Sequence, residues 1–126
     1  MGLTSTVWMI HRFTNPRTGV RGNLTLDQSV LRFEPGKGGA PTSVRVEDIV
    51  EVDRVAASPV LTLRLVPTHR LPEILFYFVE PPYMFGKPTK ITLRVADAFL
   101  HEEVDEWVHA VETAQVESEG WEEGND

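Results

Sequence analysis

Apolar and polar residues alternate with a period of two along most of the chain. Leu24 and Leu26 point one way, Asn23 and Thr25 the other. After the turn Asp27-Gln28-Ser29, Leu31 and Phe33 alternate with Arg32 and Glu34. Val44 and Val46 flank Arg45, and Asp48 to Asp53 continues as strand after a bulge. Leu61, Leu63 and Leu65 alternate with Thr62 and Arg64, and Ile91, Leu93 and Val95 with Thr92 and Arg94. Ile74 to Val79 is apolar on both faces. These patterns predict half-buried strands, with one strand buried on both sides. Val7 to Phe13 is read as a first strand. Proline- and glycine-rich stretches at 35–41, 67–72 and 81–88 separate the runs as loops.

The period changes after Val95. Leu100, Val104, Trp107, Val108 and Val111 recur at helical spacing. Asp97 suits the N-cap, and Glu102 and Glu103 suit the positive end of the helix dipole. The spacing predicts a helix over 97–115. Its apolar stripe has only the sheet to bury against. The expected fold is therefore mainly β with one C-terminal α-helix: a seven-stranded, bent antiparallel barrel or sandwich capped by that helix, with Trp107 as the anchor. Residues 1–116 form one domain in this reading, and 117–126 an acidic, disordered tail.

Composition narrows the classes. The chain has 126 residues, 41 % hydrophobic and 25 % charged, which is a globular balance. It has no cysteine. That excludes disulfide scaffolds, thiolate zinc sites, iron–sulfur clusters and cysteine nucleophiles. The net charge of −7 hides an asymmetry. All 12 Lys and Arg lie between Arg12 and Arg94, whereas residues 97–126 carry 11 acids and no base. A mildly basic body thus joins a strongly acidic end. Nucleic acid is not expected as a partner. Outward arginines such as Arg32, Arg45, Arg64 and Arg94 have no interleaved aromatics, and the acidic helix repels phosphate. The start of the chain lacks a basic n-region and a long apolar run, which predicts a cytoplasmic protein. The apolar stretch Ile74 to Val79 is far shorter than the roughly 20 residues that span a bilayer.

Several residues resemble a known family. Gly22-x-Leu24-x-Leu26-Asp27 followed by Leu31-x-Phe33 resembles the first hairpin of pleckstrin-homology-like and GRAM-like domains. Val44-x-Val46-x-Asp48-Ile49-x-x-Val52 resembles the strand that follows there, and Trp107 matches the family's aromatic in the closing helix. Asp27 stands where the family has threonine, and Val30 where it has arginine. The resemblance spans about residues 6–115. It implies a seven-stranded bent barrel with a C-terminal helix. It also implies binding of phosphoinositides, peptides or other proteins, or a platform role without a ligand.

Two candidate sites follow. The first is the basic set Arg12, Arg17 and Arg21 with Lys37 from a later loop. In the family resembled, the loop between the first two strands holds inositol phosphates, and guanidinium groups grip phosphate bidentately. The plainer reading is solvated arginines that discourage edge-to-edge pairing of strands. The second is Tyr83, Met84 and Phe85 in a proline-bounded loop, suited to a protein partner or to folding back over an open barrel end. The outward residues of the two-sided strand, Leu75, Tyr77 and Val79, call for a cover, either the N-terminal segment with Trp8 or another subunit.

Catalysis has little support. His101 and Asp105 stand four apart on the helix, but His-Glu-Glu-Val-Asp is not the H-E-x-x-H motif, and both suit a solvent face. Gly36-Lys37-Gly38-Gly39 lacks the spacing of a phosphate-binding loop, and no serine sits in a nucleophile elbow. The expectation is a noncatalytic scaffold, without cofactor or metal, that binds another protein. The alternative is a peripheral module that reads an anionic membrane surface through Arg12, Arg17, Arg21 and Lys37. The oligomeric state is not legible.

Overall fold

The computed structural model describes residues 3–14, 19–56, 58–79 and 90–124, with helix side chains described over 100–118. Seven strands form one antiparallel sheet: β1 (Leu3–Ile10), β2 (Val20–Asp27), β3 (Val30–Pro35), β4 (Thr42–Arg45), β5 (Ile49–Arg54), β6 (Val60–Leu65) and β7 (Glu73–Tyr77). A single 3-10 turn, Val46–Asp48, joins β4 to β5. The order across the sheet is β4-β3-β2-β1-β7-β6-β5, with β4 and β5 as its edges, so the sheet is bent but not closed. The helix α1 (Lys90–Gly124) lies against β5, the 3-10 turn and β6, and covers the opening.

Alternation places the core as expected. Val7, Met9, Leu24, Leu26, Leu31, Phe33, Leu61, Leu63, Ile74 and Phe76 all turn inward and are buried. Phe33 and Phe76 meet with ring centroids 6.0 Å apart. From α1, Val104, Trp107, Val111 and Ala114 complete the cluster.

Polar bonds fix the helix as well. The Trp107 indole N–H donates to Ser5 Oγ at 2.9 Å, and the Ser5 hydroxyl donates to Glu103 Oε2 at 2.6 Å. Gln115 Nε2 donates to the carbonyls of Val46 and Ile49, so it holds α1 at the 3-10 turn. Arg54 Nε reaches Asp105 Oδ1 at 3.0 Å, which pairs Asp105 with β5 although it is exposed.

Five expectations are corrected. Residues 91–95 are not a strand but part of the first turns of α1. Ile91 and Val95 are four apart and fit a helical face as well as an alternating one. No Gly or Pro interrupts residues 89–119, so the helix propagates through them. Asp97 accordingly lies inside α1 and not at its start. At the other end α1 runs through Gly124, past the expected end at 115. The strand count is still seven because 44–53 is two strands around the 3-10 turn, where one bulged strand is expected. Finally, β1 ends at Ile10 and not at Phe13. The chain turns at His11, whose carbonyl accepts from Thr14 N–H at 3.0 Å.

Candidate functional site

The ladder brings three loops to one end of the sheet. Met9 pairs with Val20 on β2, and Ile10 with Leu75 on β7. The described ends of the β1–β2 connection, 11–14 and Gly19, therefore lie beside the β6–β7 loop (66–72). The β3–β4 loop (36–41) joins them, because Gly36 N–H donates to the Arg21 carbonyl at 2.9 Å. The described residues of these loops include Arg12, Lys37 and Arg70, and no carboxylate. Exposed Glu102, Asp105, Glu106, Glu112 and Glu117 lie on α1 instead. The charge asymmetry of the sequence thus becomes a basic loop end and an acidic helix face.

At the basic end the chain makes a tight turn. His11 N–H donates to Thr14 Oγ1 at 3.0 Å, Thr14 Oγ1 donates to the His11 carbonyl at 2.9 Å, and Phe13 N–H donates to His11 Nδ1 at 3.1 Å. This turn leaves Phe13 56 % exposed. The Arg12 guanidinium lies 4.7 Å from the centroid of the Phe13 ring, and that of Arg70 lies 5.4 Å away. The His11 ring meets Phe13 edge-on at 6.0 Å. Guanidinium groups favour an aromatic face because its quadrupole is negative there. Burial, and then the neighbouring Arg70 cation, hold His11 below the usual histidine range.

A second aromatic–cation pair sits on the outer sheet face. Trp8 is opposite Arg21 on β2 and Tyr77 on β7, and the Arg21 guanidinium lies 5.6 Å from the Trp8 ring. The expected cover of the two-sided strand is therefore only partly right. The N-terminal segment lies beside β7 in the ladder, so Trp8 neighbours Tyr77 on the same face and does not lie over it.

Of the predicted basic set, Arg12, Arg21 and Lys37 are exposed at this end, but Arg12 and Arg21 stack on different rings. Arg17 lies outside the described residues, and so do Tyr83, Met84 and Phe85. The sequence reading overlooked His11, Phe13 and Arg70. One signal for them exists. The tripeptides His11-Arg12-Phe13 and His69-Arg70-Leu71 repeat a His-Arg-apolar pattern in the two adjoining loops.

Among the described residues, no group of three or more His, Cys, Asp or Glu is placed to hold a metal. No described helix is long and apolar enough to cross a membrane.

The chain is a seven-stranded antiparallel sheet with one closing C-terminal helix. No family model matches the chain, and no curated protein matches it. Among solved structures it is similar to Inner Membrane Complex Sub-compartment Protein 3 from Toxoplasma gondii, at 17 % identity and a TM-score of 0.44, over 82 % of this chain and 75 % of that one. At that identity and score the likeness assigns neither family nor activity.

Proposed function

We propose that the chain is a noncatalytic interaction module of pleckstrin-homology-like architecture whose contact end is the one that carries Phe13. The observation behind this reading is the exposed Phe13 ring with two guanidinium groups against it. Aromatic and arginine side chains anchor protein interfaces more often than other types. Here both occur on neighbouring loops held by a rigid sheet. The partner is another protein that offers carboxylates around an apolar recess, since planar guanidinium donors match carboxylates bidentately.

A second reading has support from the absence of acids in the three loops: the same end receives anionic lipid headgroups, with Phe13 entering the apolar layer. The double variant Phe13→Ser plus Arg70→Ser separates these. Both residues are exposed, so stability should change by no more than about 0.5 kcal/mol. A protein captured by the wild-type chain should be lost with the variant. Co-sedimentation of the wild type with anionic vesicles, weakened by salt and by the same substitutions, would favour lipid instead. Undiminished capture by the variant would remove Phe13 from the interface.

A further inference from the structure

We propose that the His11 turn is a proton-sensitive latch at the Phe13 end, and that protonation of His11 releases the turn that presents Phe13. The proposal concerns regulation of the end assigned above, and its relevance to binding rests on that reading.

The two loops use the same bond. His11 Nδ1 accepts from the N–H of Phe13 at 3.1 Å, and His69 Nδ1 accepts from the N–H of Leu71 at 3.0 Å. In each case the ring closes a turn on the residue two positions later. The apolar residues then go opposite ways. Phe13 stands out into solvent, whereas Leu71 is buried in the core. Between His69 and Leu71, Arg70 extends back to the Phe13 ring. The second turn therefore positions a side chain of the first turn's cluster.

A ring nitrogen that accepts a hydrogen bond carries no proton, so the neutral His11 ring keeps its proton on Nε2. Protonation converts Nδ1 into a donor. Phe13 N–H then faces another N–H, and the turn loses this bond, with only the His11–Thr14 bonds left to hold it. The added charge also meets cations. Among the described residues, the charged and titratable groups of the three loops are His11, Arg12, Lys37, His69 and Arg70. On the flanking elements, Glu73 is opposite Arg64 in the ladder, and Asp48 meets the loop through its carbonyl, which accepts from Val66 N–H. His11 would thus become a further cation beside Arg70, whose charge already acts on it. The latch is closed at neutral pH and opens on acidification. The sign follows from linkage. His11 takes up its proton less readily in the fold than in the unfolded chain, so stability rises with pH from its lowered value up to about 6.5.

The test is a nuclear magnetic resonance titration of the full chain between about pH 4.5 and 7.5. The Phe13 amide should lose its hydrogen-bonded shift with the same midpoint as the His11 ring, below about 6.5. His11→Asn supplies a non-titrating acceptor, because an asparagine side chain bonds the backbone two residues on. In that variant the Phe13 amide should keep its bonded shift throughout. A Phe13 amide that does not follow His11 in the wild type overturns the latch. So does one that titrates equally in a folded His11→Asn chain. If the variant fails to fold, the wild-type midpoints alone decide. No partner is needed, so failure here leaves the interaction reading intact, and loss of that reading leaves the titration intact.

Discussion

Trp107→Ala should lower stability by about 3–5 kcal/mol, the largest effect of any single substitution in α1. Thermal unfolding would read this as a fall in melting temperature on the order of 15 °C. Trp107 is fully buried where α1 crosses the sheet opening, so its removal leaves a cavity between helix and strands. It also deprives Ser5 of its donor, although Ser5 still bonds Glu103. Trp107→Phe keeps most of the volume and loses the indole N–H, so it should cost less, about 1–2 kcal/mol. Similar melting temperatures for the wild type and Trp107→Ala would mean that the side chain does not fill the core.

Gly22→Ala should destabilise by about 1–3 kcal/mol for a different reason. Gly22 faces inward on β2 opposite Pro35, and its backbone is not in the left-handed region. Clearance is what matters. An added Cβ would lie 2.7 Å from Phe33 Cζ and would overlap the Glu34 carbonyl oxygen. That oxygen belongs to the backbone of β3, so relief requires moving a strand. Urea denaturation should show a lower midpoint with an unchanged slope. An unchanged midpoint would contradict the close approach of β2 and β3.

Much of the fold was legible because Leu24 and Leu26 on β2, Leu31 and Phe33 on β3, and Leu61, Leu63 and Leu65 on β6 alternate with polar residues and face inward, while β7 stands out as a short apolar run with Ile74 and Phe76 inward. The beginning of β1 was hidden because an inward position holds Ser5, a polar residue. Its reason lies 102 positions away, in the Trp107 indole that it accepts from. The start of α1 was hidden because a short apolar run can satisfy both periods. At the basic end, Arg12 and Arg21 could be picked by charge. Phe13 could not, because it reads as the last inward residue of a strand until the His11 turn ends β1. Arg70 reaches Phe13 only through the pairing of β1 with β7, a long-range contact that no local pattern encodes.

The core depends on α1 staying seated against β5, the 3-10 turn and β6. Native-state hydrogen exchange measures this directly. Amides of 104–115 should be protected to the same free energy as those of β2 and β6, because helix and strands open together. Fast exchange along 104–115 beside slow exchange in the strands would contradict it.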